Sequence, residues 1–182
     1  MKMTELLIRW TPTFLAFPIG GLLAKLIFGS ANSVLRSVGG GLIVGLVLGL
    51  FQYLSLKKFG ISTSWVVATV IAVAIAGLIN SYVFSFKFDT ASLAGSGVVA
   101  GLLVGVAQSL SQSRELKFVL LWALSTAIAW SLAWFITSEV IVDPEAQYHV
   151  YGSSGALLTT LGLGFCLKYL LPIAGIVQNT IK

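Results

Sequence analysis

Charge is what this chain has least of. Only 9% of its 182 residues are Asp, Glu, Lys or Arg, against about 25% in a soluble domain, so it cannot clothe a water-facing surface. Histidine is almost absent as well. With His149 alone there is no HExxH helix, no haem pair and no histidine cluster for a metal. A Ser–His–Asp triad would have to recruit His149, and Gly152-Ser153-Ser154-Gly155 lacks the GxSxG spacing of a nucleophile elbow. The single cysteine, Cys166, excludes an internal disulfide. No acidic residue falls in the core of any long apolar run, which removes the usual mark of proton-coupled or proteolytic work inside a membrane. No enzyme activity and no cofactor are expected. The net charge of +5 suits anionic lipid headgroups and is too sparse for the basic face a nucleic-acid binder needs.

What the chain does have is apolar length. Hydrophobic residues make up 57% of it and the mean hydropathy is +0.98. In lipid every backbone polar group must be paired internally, which leaves helices or closed barrels. Barrel strands would alternate over segments of about 10 residues; these runs are unalternated and about 20 long, the length a helix needs to cross. The expected fold is an all-α membrane protein, a single transmembrane domain of six helices in one bundle. The spans are placed at Pro12–Phe28, Val34–Leu56, Ser64–Phe86, Ala91–Leu110, Phe118–Val142 and Ser153–Leu171, with a short amphipathic tail over 173–182. Thr11 is the expected N-cap of span one, with Pro12 at its first position and Pro18 as a kink. Ser62, Thr63 and Ser64 are cap candidates for span three. The basic opening Met1 to Arg9 has the look of a signal peptide and is taken here as the start of a retained first span.

Charge placement orients such a bundle. Lys2, Arg9, Lys57, Lys58, Arg114, Lys117, Lys168 and Lys182 collect at one end, leaving Lys25, Arg36 and Lys87 at the other with Asp89, Glu139, Asp143 and Glu145. By the positive-inside rule both termini are expected in the cytoplasm, in a bacterial inner or thylakoid membrane.

An internal repeat runs through these spans. Gly41, Gly45, Gly49 and Gln52, followed by Leu54 and Ser55, recur 56 residues later as Gly97, Gly101, Gly105 and Gln108, followed by Leu110 and Ser111. Trp10, Trp65 and Trp122 open spans one, three and five at nearly the same interval. The bundle therefore reads as three parallel pseudo-repeated hairpins, about 10–56, 64–112 and 118–171, each a Trp-led helix followed by a glycine-striped one. The third stripe is degenerate, offering Ala156, Thr160 and Gly164 and no matching Gln. At about 100° per residue, the three glycines and the Gln of each stripe share one face. Small residues in this spacing let helix backbones approach closely, and a Gln there adds an interhelical hydrogen bond of ~0.6–2 kcal/mol. The expected use is packing of span two against span four; an oligomer seam or a ligand groove lined by Gln52 and Gln108 is the functional alternative.

Other polar positions carry plainer expectations. The three helix-opening tryptophans read as interfacial anchors, Trp130 and Trp134 as facing lipid or a neighbour, and Lys25 and Lys168 as snorkelling cations. Asn80, near the far end of span three, is expected to hydrogen-bond between helices and is the third candidate ligand position beside Gln52 and Gln108. Asp143 to His149 form the most polar loop, solvated and partly helical.

The stripe ending in Gln-x-Leu, a short basic loop and a Trp opening the next helix, over Gly39 to Trp134, resembles bacterial multi-span membrane proteins built of glycine-rich hairpins, a family that implies no particular activity. In size and span count the chain is also similar to the substrate-binding membrane subunits of energy-coupling-factor vitamin transporters, an analogy of build alone. Two functions are carried forward. One is a non-enzymatic scaffold or accessory subunit, packing through its glycine stripes with other membrane-protein subunits or with itself. The other is a transporter or channel component that binds a small or lipophilic molecule among Gln52, Gln108 and Asn80.

Overall fold

The computed structural model describes residues 2–140 and 153–176, and every regular element among them is helical. In chain order these are α1 (Met3–Trp10), a 3-10 segment (Thr11–Leu15), α2 (Ala16–Phe28), α3 (Val34–Leu56), a 3-10 turn (Lys57–Phe59), α4 (Ser64–Val83), α5 (Thr90–Gln112), α6 (Leu116–Val140) and α7 (Ser153–Ile173). They supply six stretches of 19 to 26 residues that are long and apolar enough to cross a bilayer, or roughly 28–39 Å at the helical rise. The expected all-α six-helix bundle is the fold found. The loop Asp143–His149 and the tail beyond Ile176 lie outside the described residues.

The first span differs from its sequence reading. Helix begins at Met3, so Thr11 is no N-cap; it lies inside a span that runs from Met3 to Phe28. Leu6 and Trp10 face inward at 0% and 1% exposure, and Glu5 bridges to Lys58 at 2.7 Å and Arg9 at 3.7 Å. One proline, Pro12, lies in the tighter segment and another, Pro18, in the first turn of α2. Pro12 cannot donate to Ile8, nor Pro18 to Phe14, and the backbone over Thr11–Leu15 winds as 3-10 helix. Span three closes earlier than expected, at Val83, before Ser85 and Phe86 turn through the left-handed region at φ 50° and 60°. Its N-terminus is not capped by Thr63. Instead the Ser62 and Ser64 hydroxyls bond across to Gln112 of α5. Asp89 caps α5, accepting from the Ser92 N–H at 3.0 Å and its hydroxyl at 2.7 Å; those bonds hold its carboxyl below the usual carboxylate range. Pro172 sits in the last turn of α7 without breaking it.

The spans close into a ring in which each helix packs on the next in sequence, and α7 returns to α1 and its 3-10 extension. The glycine stripes are used inside this ring, but not between spans two and four as expected. Gly41, Gly45 and Gly49 face the backbone of α4 at Val73, Val70 and Val66; a Cβ added at Gly45 would lie 2.8 Å from Val70 Cα. Gly97, Gly101 and Gly105 face α6 at Trp130, Ala127 and Ala123, where a Cβ on Gly101 would lie 2.8 Å from Ala127 Cα. In the degenerate third copy, Gly164 packs on Leu7 and Trp10 of α1. Each stripe thus joins one hairpin to the next, packing on a Trp-led helix. Thr126 adds a bond from its hydroxyl to the Gly101 carbonyl at 2.8 Å.

Outside the ring the surface is leucine, isoleucine and valine: Leu26, Leu54, Ile71, Leu120, Leu124 and Ile128 are all more than half exposed or nearly so. Apolar patches on soluble monomers reach about 300–600 Å²; a girdle of this kind matches a lipid environment. Overpacking at a tight site costs about 1–3 kcal/mol, so Gly45→Ala and Gly101→Ala should each lower the melting temperature in detergent. Gly162→Ala, where an added Cβ meets nothing within 4 Å, should leave it unchanged or raise it.

Candidate functional site

The three helix-opening tryptophans are not interfacial anchors. Trp10, Trp65 and Trp122 are buried to 1%, 0% and 0% exposure and meet on the bundle axis, Trp122 lying 6.4 Å from Trp10 and 6.0 Å from Trp65 between ring centroids. The reason is register. Packing α4 on the stripe of α3, and α6 on that of α5, turns each indole inward beside the Gln that ends the stripe. An indole N–H is a donor only, and away from water it must find an acceptor. Trp65 Nε1 donates to Gln52 Oε1 and Trp122 Nε1 to Gln108 Oε1, both at 3.0 Å, while Trp10 Nε1 reaches the Thr160 carbonyl at 2.8 Å.

These donors fix how the two amides lie. With Gln108 Oε1 committed to Trp122, its Nε2 points toward acceptors: Gln52 Oε1 at 2.7 Å and Thr69 Oγ1 at 2.8 Å. Thr69 passes its own proton to the Trp65 carbonyl at 2.7 Å. Gln52 Oε1 therefore receives two hydrogen bonds, and Gln52 Nε2 makes none among the described residues. Spans two and four meet through this Gln–Gln contact.

From the indole cluster a cavity of about 220 Å³ runs along the axis toward the opposite end. Trp10, Gln52, Val44, Thr160 and Leu163 line its inner part; Ala31, Phe84, Phe86 and Lys87 line the far end, between α2 and α3 and between α4 and α5. Its walls between are small: Gly41, Ala76, Gly77, Ala100, Ala133 and Ala156. Trp130 also lines it, edge-on to Phe17 at 5.4 Å, as does Trp134. Lys87 is the one charged side chain on the wall among the described residues.

Of the candidate positions, Gln52 and Asn80 line the cavity while Gln108, fully buried, braces Gln52 from behind. Asn80 makes the interhelical bond expected of it, Nδ2 to the Ser96 carbonyl at 3.3 Å, and its Oδ1 is buried without a partner among the described residues. The glycines serve mainly as contact faces, with Gly41 also on the wall. Sequence reasoning missed the tryptophans and Thr160. The recurrence of Trp 13 and 14 residues after Gln52 and Gln108 was the signal that could have found Trp65 and Trp122.

Comparison with protein-family models, with curated proteins and with solved structures finds no match for the chain. What the site does must follow from its own residues.

Replacing Gln108 with Leu leaves the Trp122 N–H buried without an acceptor, a loss of ~1–3 kcal/mol for each orphaned group. In a Trp122→Phe background the same substitution should cost measurably less. Chemical denaturation of the two single variants and the double variant measures that coupling.

Proposed function

We propose that this chain binds a small lipophilic molecule within the membrane, as a transporter or channel component, and that the axial cavity is the binding site. The observation that carries this reading is a cavity that begins at Trp10 of the interlocked indole cluster and is lined mostly by small and apolar side chains. A compact apolar cavity of about 150 Å³ already binds benzene; this one is larger, and its mostly apolar wall carries polar side chains at both ends, Gln52 and Thr160 at one and Asn80 and Lys87 at the other, the mixture found in small-molecule sites.

The accessory-subunit reading draws less support. It rested on glycine stripes able to meet a partner, and the six glycines are occupied against α4 and α6. A partner would instead have to dock on the leucine-rich lipid face.

The basic end of the bundle is the indole end. With that end in the cytoplasm of a bacterial or thylakoid membrane, the cavity faces the non-cytoplasmic side, and a ligand enters from there or from the outer leaflet. Mass-tagging of single cysteines in a Cys166→Ser background tests the orientation. A cysteine at Ser85 should react from outside intact cells and one at Lys58 only after lysis; the reverse pattern would turn the bundle over.

Native mass spectrometry of protein extracted gently from its own membrane tests the function. A small molecule carried in fixed ratio, and lost in Ala100→Phe, which fills the cavity, is the expected result. A ligand-free chain held in fixed ratio within a larger assembly would return the assignment to an accessory subunit.

A further inference from the structure

The closed end of the cavity is polar in a particular way. Gln52 is 5% exposed, its oxygen is taken twice, and its Nε2 has no hydrogen bond among the described residues although the residue lines the cavity. Thr160 is 4% exposed and lines the same end. Its carbonyl is held by Trp10, and its hydroxyl makes no hydrogen bond among the described residues. Four other helical hydroxyls are answered locally. Thr69, Ser81, Ser109 and Thr159 each give their hydroxyl proton to the carbonyl four residues back, the ordinary way for a helical hydroxyl to be satisfied in a dry setting.

Both features trace to the third repeat. In a cycle of three equal copies, each Gln would donate to the next, as Gln108 does to Gln52. The position that would receive from Gln52, eleven residues after Ala156, is Leu167. The third stripe also has Thr160 where the other two have Gly45 and Gly101. Loss of symmetry has thus left two donors at the inner end of an apolar cavity.

We propose that Gln52 Nε2 and Thr160 Oγ1 hold the neutral carbonyl group of a single-chain lipophile, whose hydrocarbon body runs outward between the small residues of the wall. This rests on the ligand-binding reading above and names the ligand class. A carbonyl oxygen has two lone pairs and needs donors only, which is what the pair offers. The head is neutral because no charged residue lines the inner end among the described residues, and an ion there would be desolvated without a counter-charge. The body is a single chain because the volume is spread thin. Ser37 and Gln52 both line the cavity from α3 and stand roughly 20 Å apart along it by helical rise, so about 220 Å³ makes a tunnel and not a chamber.

The test uses the full chain in phosphatidylcholine nanodiscs, with tryptophan fluorescence as readout because Trp10 lines the same end. The probes are tridecanone (the methyl ketone), tridecane and ionised tridecanoate. Saturable binding of the ketone about tenfold tighter than the alkane is expected, with no saturable binding of the carboxylate. Thr160→Val, which keeps the backbone carbonyl for Trp10, should abolish the ketone preference and leave tridecane binding unchanged. Gln52→Leu should do the same where it folds, but it strips Trp65 of its acceptor, so Thr160→Val is the deciding variant. Equal binding of ketone and alkane, a preference surviving in Thr160→Val, or tight binding of the carboxylate would each overturn the head assignment while leaving the cavity as a ligand site. Absence of saturable binding by any probe, with native mass spectrometry also finding no carried molecule, would overturn both.

Discussion

Three indole N–H groups buried on the axis of a membrane bundle constrain everything around them. Each is a donor with no acceptor of its own, in surroundings where an unanswered donor costs free energy that water would otherwise recover. Two are answered by side-chain amides, Trp65 by Gln52 and Trp122 by Gln108, and the third by the Thr160 carbonyl. Because an indole cannot accept, both amide oxygens must face their tryptophans, and the direction of the Gln108-to-Gln52 bond follows. The chain of donors is polar and specific in register, since a slip by one residue would move an indole away from its amide, and it stops at Gln52.

That register is set by backbone contact. Glycine stripes on α3 and α5 let α4 and α6 approach until an added methyl would touch main chain, a fixed spacing that leucine-rich faces do not enforce. A ring of six helices then has a geometric consequence. Neighbours sit about 8–10 Å apart, and in a regular hexagon the axis is just as far from every helix. With a helix radius of about 5–6 Å, a gap of roughly 3–4 Å radius remains down the middle and must be filled or left open. At one end three tryptophans fill it; between that cluster and the Phe84–Lys87 end the wall carries small residues such as Gly41, Ala76, Gly77 and Ala100, and it stays open. Cluster and cavity are two outcomes of one topology.

How far this was legible depends on the kind of signal. Six spans were readable because hydropathy over about 20 residues is a property of the run itself; Val34–Leu56 was placed to the residue. The glycine and glutamine positions were visible as a repeat, yet their partners were not, since a stripe on a helix says that something comes close and not which helix does. The tryptophans were misread because position near a span end fits two environments, the headgroup zone and a buried polar cluster, and only the packing of the next helix decides between them. The start of span one was misplaced for a related reason: Glu5 and Arg9 mark a polar stretch, yet Leu6 and Trp10 of the same helix face inward.

Repetition by itself does not make a site, because a symmetric bundle satisfies each copy with the next. In the first two copies the bonds run from Trp to Gln, and Gln108 passes its own on to Gln52. A third Gln at position 167 would have completed the cycle and consumed the free side of Gln52. Leu167, fully buried, keeps the packing and omits the acceptor. Thr160, in place of a stripe glycine, adds a hydroxyl while α7 still closes the ring through Gly164 on Trp10. The scaffold is thus held by the two copies that agree, and the third is where hydrogen-bonding capacity is left to face the cavity. Chemical specificity in such a fold is to be sought where the repeat fails, not where it is strongest.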